Sequence, residues 1–459
     1  MNASDWITRG VSLLRPGHPP GGAKSAADAS KAKKIGAGPR PLTERLEATL
    51  RRPGEALAPR ALRRALVELQ AVVDPRISEV EAGRRAHAVV QWYGARELDE
   101  RRDIWLLMSE RFAPDVQELS TARDRHEAAV GTPDEGQAEI GLRRALASPR
   151  ARLLQRFAID PEGMRFLVDL RAELLPHLKG DRRLLPLDAE LEHLFSTWFD
   201  MAFLDLRRIS WDSPASLIEK LIQYEAVHDI KSWADVKNRL DSDRRCYGFF
   251  HPRLPNTPLI FVEVALVDRV SAGIVPLLDE SAAAADLKRA TTAIFYSISN
   301  TQDGLRGVSF GDSLIKRVVE TLKDEFPKLK TFATLSPIPG FRAWLGKQVP
   351  AEKLAEWDKP LELGPKAPER LELLGWAAQY LGKELQDGKP LDPVARFHLG
   401  NGARVERLNW AGDPSAKGLK QSFGLMVNYL YDLKKLDKHR TLLAQGEIPI
   451  AGAVEELYR

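Results

Sequence analysis

The chain has 459 residues, 44% apolar and 29% charged, a length for two or three domains and a composition able to bury sizeable cores. Its formal charge of +4 is uneven: residues 1–42 hold seven Lys/Arg against Asp5 and Asp28, leaving 61 basic and 62 acidic groups in the rest. That near-neutral body argues against a nucleic-acid surface, the single Cys246 excludes an intramolecular disulfide framework and multi-cysteine metal sites, and no run approaches the ~20 apolar residues of a membrane helix.

Residues 1–42 are rich in Gly, Pro, Ala, Ser and Lys and predict a flexible basic tail, with a loose likeness to a transit peptide. From Leu42 to about Asp188 apolar residues recur at helical spacing: Leu62, Leu66 and Leu69, then Ala86, Val89, Val90 and Tyr93, then Ile104 to Leu107. Pro75, Pro114, Gly131-Thr132-Pro133 and Pro161-Glu162-Gly163 break the pattern, so a bundle of helices with short connections is expected over 43–188. Two more helices are expected at Ser213 to Tyr224 and Ser232 to Leu240. Strands are expected at Arg245 to Phe250, Pro258 to Val267, Thr292 to Ile298 and Thr331 to Leu335. Helices at Leu314 to Asp324 and Ala367 to Leu385 complete an α/β domain over 189–459.

Three segments in that second region carry chemistry. Gly307-Val308-Ser309-Phe310-Gly311 spells G-x-S-x-G, but the polar approach from Ser299 to Gly304 is not the apolar strand that a nucleophile elbow needs. The same stretch can cradle a phosphate. Gly304, Gly307 and Gly311 allow close backbone approach, Asp312-Ser313 can open the following helix, and Arg306 can add charge. A tight-turn loop with Asp312 as an ordinary N-cap is the competing reading. Leu335-Ser336-Pro337-Ile338-Pro339-Gly340 leaves a strand with two φ-locking prolines, which sets Ser336 rigidly at a strand end, although taken alone the segment reads first as a Pro-stiffened connection with Ser336 bonded to its own backbone. His398 lies where a helix runs into a Gly-Asn-Gly turn, and at neutral pH it can give or take a proton. The nine histidines show no HExxH or paired ligand spacing, so no metal is expected.

The segments FFHPRLPNTPLIFVEVALV, AIFYSISNTQDGLRGVSFGDSLIKRVV, LSPIPGFRAWL, RFHLGNGARVERLNWAGD and SFGLMVNYLYDL, in this order and spacing, resemble the malonyl-CoA decarboxylases. The resemblance implies an α+β multidomain chain. An N-terminal all-helical bundle (43–188) used for oligomerisation would precede a GNAT-like α/β acyl-CoA-binding catalytic domain (189–459). It implies Ser336, His398 and Tyr431 as catalytic residues. It also implies Arg306, Gly307, Val308, Ser309, Phe310, Gly311 and Asp312 as the CoA-diphosphate segment. Ser309 departs from the usual R/Q-x-x-G-x-G pattern of that loop. The implied substrate is malonyl-CoA, with no cofactor because CoA is part of the substrate, and the implied form is a homo-oligomer, taken as a tetramer; the Ala/Arg-rich composition and the tail suit a bacterial cytoplasmic enzyme. An acyltransferase on the same scaffold and a non-catalytic acyl-CoA-binding interaction protein are the alternatives.

Overall fold

The computed structural model describes residues 40–308 and 314–458. The expected basic tail falls outside the described residues up to position 39. The chain divides into two compact units, residues 40–198 with 302–308, and residues 199–301 with 314–458.

The first unit is helical: α1 (Leu42–Glu47), α2 (Pro59–Val73), α3 (Glu79–Gly94), α4 (Leu98–Glu110), α5 (Val116–Ala129), α6 (Glu135–Leu146), α7 (Pro149–Ile159), α8 (Gly163–Leu174) and α9 (Leu185–Trp198). α2 and α3 each bury one stripe, Leu62, Ala65, Leu69 and Val72 on one and Ala82, Ala86, Val89 and Tyr93 on the other, as the periodicity predicts. α4 is buried on every side from Asp103 to Ser109, which makes it the central helix. Its carboxylate, Asp103, accepts from both terminal nitrogens of Arg45 at 2.5 Å and from the Leu57 N–H at 2.8 Å. A buried charge requires such pairing, and removing one partner costs about 3–5 kcal/mol. α5 and α6 form a hairpin in which no residue is fully buried. The helical unit runs ten residues past position 188, because Leu187, Leu191, Leu194 and Phe195 of α9 join its core. It also takes in residues 302–308. Gly304 packs so close to α8 that a Cβ there would stand 1.9 Å from the Val168 carbonyl oxygen, so only glycine fits.

The second unit is a mixed sheet. Its strands are β1 (Asp205–Ile209), β2 (Arg244–Phe250), β3 (Pro258–Val267), β4 (Thr292–Asn300), β5 (Thr331–Thr334), β6 (Ser336–Pro337), β7 (Leu385–Gln386), β8 (Lys389–Pro390), β9 (Arg404–Asn409) and β10 (Met426–Leu430). β1 to β4 run antiparallel to their neighbours, β4 and β5 are parallel, and β10 pairs antiparallel with β5, β6 and β9; β7 and β8 form a separate hairpin. The helices that matter here are α10 (Ala215–Tyr224), α11 (Trp233–Arg239), α12 (Leu314–Glu325), α13 (Pro368–Gly382) and α14 (Pro393–Gly400). α10 and α11 cover one face, where Ile218, Leu221 and Val236 meet Ile209, Cys246 and Phe261. α12 lies on the other: Arg245, which projects opposite to Cys246, pairs with Glu325 at 2.5 Å. A mixed sheet with helices packed on it is the α/β organisation expected for this region.

The four expected strands form within two residues of their predicted limits. β9 forms from the strand-like run at 404–409, and β1, β6, β7, β8 and β10 are additional, since each is short and takes its strand form from its partners. One feature of the topology positions the site. The parallel pairing of β4 with β5 ends at Phe295 opposite Thr334, while β4 continues along β3 to Asn300. The two strands part there, next to a bulge that leaves Tyr296 out of the β3 register. Among the described residues no helix is long and apolar enough to cross a membrane.

Candidate active site

Ser336 lies just past the point where the sheet divides. The Leu335 N–H still donates to the Phe295 carbonyl at 2.9 Å, after which the chain turns to β10 and Ser336 sits opposite Val427. Side chains two apart in extended backbone share a face, so Thr334 and Ser336 project together. The Ser336 hydroxyl donates to Thr334 Oγ1 at 2.8 Å, and the same oxygen accepts from the Tyr429 N–H at 3.1 Å. Asn428 Nδ2 holds the Thr334 carbonyl at 2.6 Å, and Asn409 supports Asn428 from β9 at 2.9 Å.

His398 arrives from the last turn of α14. Asp392 caps that helix by accepting from the Val394 and Ala395 N–H groups at 2.9 Å each, and Pro393 starts it with a preset φ. Burial pushes the Asp392 carboxyl up to about 6, against the pull of those N–H donors. At the other end, His398 Nε2 stands 3.2 Å from Ser336 Oγ, and Nδ1 stands 2.8 Å from the Tyr431 hydroxyl. The imidazole stacks on Tyr429 with centroids 4.7 Å apart and planes 27° apart.

These contacts set the proton positions. The Ser336 proton is committed to Thr334, so its oxygen accepts from His398 Nε2–H, and Nδ1 accepts from the Tyr431 O–H. The donor chain therefore runs from Tyr431 through His398 and Ser336 to Thr334. All three predicted catalytic residues are brought together and buried. Burial pushes the His398 imidazolium down to about 3 and the Tyr431 phenol above its ordinary value, so at neutral pH both are uncharged and Tyr431 keeps its proton. Such a cluster is polar, hydrogen-bonded within itself, and brings no charge of its own.

Of the predicted phosphate segment, Arg306, Gly307 and Val308 are described, whereas Ser309, Phe310, Gly311 and Asp312 lie outside the described residues. Arg306 is exposed, with Nη2 at 3.8 Å from Asp303 Oδ1. Gly307 has φ +82°, a region that a side chain would strain. Val308 is buried. Three supporting residues escape sequence reasoning: Thr334, Tyr429 and Asp392. The two-residue spacings Thr334/Ser336 and Tyr429/Tyr431 are the signal that could have found the first two; Asp392 before Pro393 is a helix-start signal.

Residues 202–459 match the malonyl-CoA decarboxylase C-terminal domain family and residues 112–199 the malonyl-CoA decarboxylase N-terminal domain family. The mitochondrial malonyl-CoA decarboxylase of Mus musculus is 36% identical over 412 residues, covering 77% of this chain and 80% of that one. That of Rattus norvegicus is 38% identical over 345 residues, 65% of this chain and 68% of that one. Among solved structures, malonyl-CoA decarboxylase from Rhodopseudomonas palustris is 41% identical with a TM-score of 0.78, over 86% of this chain and 99% of that one. The enzyme from Cupriavidus metallidurans is 44% identical with a TM-score of 0.68, over 87% and 100%.

Proposed function

The chain belongs to the malonyl-CoA decarboxylase family, and on that premise we propose that it is a carboxy-lyase converting malonyl-CoA to acetyl-CoA and carbon dioxide through Ser336 and His398. The observation that carries this reading is the neutral donor chain Tyr431–His398–Ser336, buried beside the point where β4 and β5 part.

The chemistry proceeds from the substrate. When the bond between Cα and the carboxylate carbon breaks, its electron pair stays on Cα and delocalises onto the thioester oxygen as an enolate. Donors already aimed at the developing charge lower that barrier most. In this proposal the Ser336 hydroxyl turns from Thr334 to the malonyl carboxylate and orients it, with His398 Nε2–H as its partner. Once carbon dioxide has left, His398 gives its Nε2 proton to Cα. A thioester enolate is basic enough to take it from a neutral imidazole. The Tyr431 O–H at Nδ1 stabilises the imidazolate until solvent returns a proton.

Arg306, Gly307, Val308, Ser309, Phe310, Gly311 and Asp312 are assigned to the CoA diphosphate, the helix start supplying N–H donors and Arg306 a charge. CoA is part of the substrate, and the reading uses no further cofactor. A homotetramer acting in the cytoplasm is part of the same proposal; the buried, unpaired Cys246 is compatible with a reducing compartment. The test is release of carbon dioxide and acetyl-CoA from malonyl-CoA with nothing else added. Product only when an amine or alcohol acceptor is supplied would replace this reading with an acyltransferase, and CoA-ester binding without turnover would leave a binding protein.

A further inference from the structure

We propose that Arg171 is a positioning residue for substrate binding. From inside the helical unit it sets the backbone of residues 304–307 so that the Gly307 N–H faces the CoA diphosphate. This rests on the assignment of the Arg306 segment to that diphosphate.

Arg171 lies on α8 and is 2% exposed. Its Nη1 donates to the carbonyls of both Gly304 and Arg306, each at 2.9 Å. Its Nε donates to Asp188 at 2.8 Å, and Nη2 stands 3.5 Å from Glu192. Two carboxylates neutralise it and burial hides it, so direct attraction to a phosphate is not its role. What it controls is peptide orientation. In a trans peptide the carbonyl of one residue and the N–H of the next point in opposite directions. Holding the Arg306 carbonyl toward α8 therefore turns the Gly307 N–H away from the helix. Gly307, at φ +82°, continues the chain in a conformation that a side chain would strain. The clamp has independent supports in the contact of Gly304 with α8 and in Arg165, whose Nη1 donates to Gln302 Oε1 at 2.6 Å. A lysine cannot replace the fork, because one ammonium cannot span two carbonyls and a carboxylate in a single plane.

The test compares malonyl-CoA with malonyl-pantetheine, which carries the reacting thioester and lacks the diphosphate. Arg171→Lys should raise KM for malonyl-CoA about ten-fold or more with kcat within about two-fold, as expected when hydrogen bonds from a charged group are lost. On malonyl-pantetheine, kcat/KM should change by less than about two-fold, because the aimed N–H has nothing to bind. Arg165→Ala, at a more exposed position, should show the same selectivity with a smaller shift and keeps the question answerable if Arg171→Lys folds poorly. Equal losses on both substrates would overturn the inference and make Arg171 a general packing residue. Arg306→Ala separates the two layers of the argument. If it too spares malonyl-CoA binding, the diphosphate assignment itself fails; if it is selective while Arg171→Lys and Arg165→Ala are not, only the role of Arg171 fails.

Discussion

Tyr431 stands 2.8 Å from Nδ1 of His398, and together with the commitment of the Ser336 proton to Thr334 this contact assigns the imidazole proton to Nε2. The phenol stands just past β10 while the histidine ends α14, so a strand and a helix separated by 33 positions converge on one ring. With Nδ1 occupied as an acceptor, Nε2–H is the group presented to Ser336. Burial then keeps the ring neutral, and the donor chain keeps one direction.

Ser336→Ala and His398→Asn should each lower kcat for malonyl-CoA by about 10²-fold or more, the range for a lost catalytic donor. Steady-state assays on variants with unchanged circular dichroism would check this. Near-wild-type turnover in both would remove Ser336 and His398 from the mechanism.

Tyr431→Phe keeps the ring packed and removes only the hydroxyl. The imidazole should then populate both tautomers, and kcat should fall about ten-fold, less than for loss of His398 itself. Nitrogen-15 spectra of the ring provide the readout: Nε2–H alone in the wild type, a mixture in the variant. A single unchanged tautomer would show that Tyr431 does not set the proton position.

Stability should respond to pH through the same histidine. His398 is pushed down to about 3 in the folded chain against an ordinary 6.5, so the unfolded chain takes up the proton first. Its contribution is complete above about pH 6.5 and is lost progressively as pH falls toward 3. Buried His228, pushed down to about 4, adds in the same direction. Asp392, raised to about 6, acts oppositely and favours the folded state at lower pH. Because His228 and Asp392 are common to both proteins, the drop in urea midpoint between about pH 7.5 and about pH 5 should be larger for wild type than for His398→Asn. Identical drops would mean that His398 titrates normally.

Thr334→Val replaces a hydroxyl with a methyl of similar size. It strips the acceptor from Ser336 and from the Tyr429 N–H, leaving a buried donor unsatisfied at a cost of about 1–3 kcal/mol. Denaturant unfolding should show that loss, and kcat should fall about ten-fold as Ser336 gains rotamer freedom. A destabilised variant with full kcat would separate Thr334 from the catalytic geometry.

The sequence by itself determined the division into helical and mixed α/β regions, because stripes at three- and four-residue spacing and runs such as Pro258–Val267 are local consequences of burial. It also made candidates of Ser336 and His398, one beside stiffening prolines and one at a helix end, but their catalytic assignment came from the family resemblance of the surrounding segments. Their meeting was not legible there. Ser336, His398 and Tyr431 span 95 positions, and Thr334, Tyr429 and Asp392 act only through contacts that no local pattern encodes. The parting of β4 from β5, the neutral state of the buried histidine and the grip of Arg171 on residues 304–306 were decided by tertiary structure. The physical reason is common to all three. Strand partnership, desolvation and a carbonyl's orientation depend on what lies across space, and hydrophobic periodicity records only which side of an element is buried.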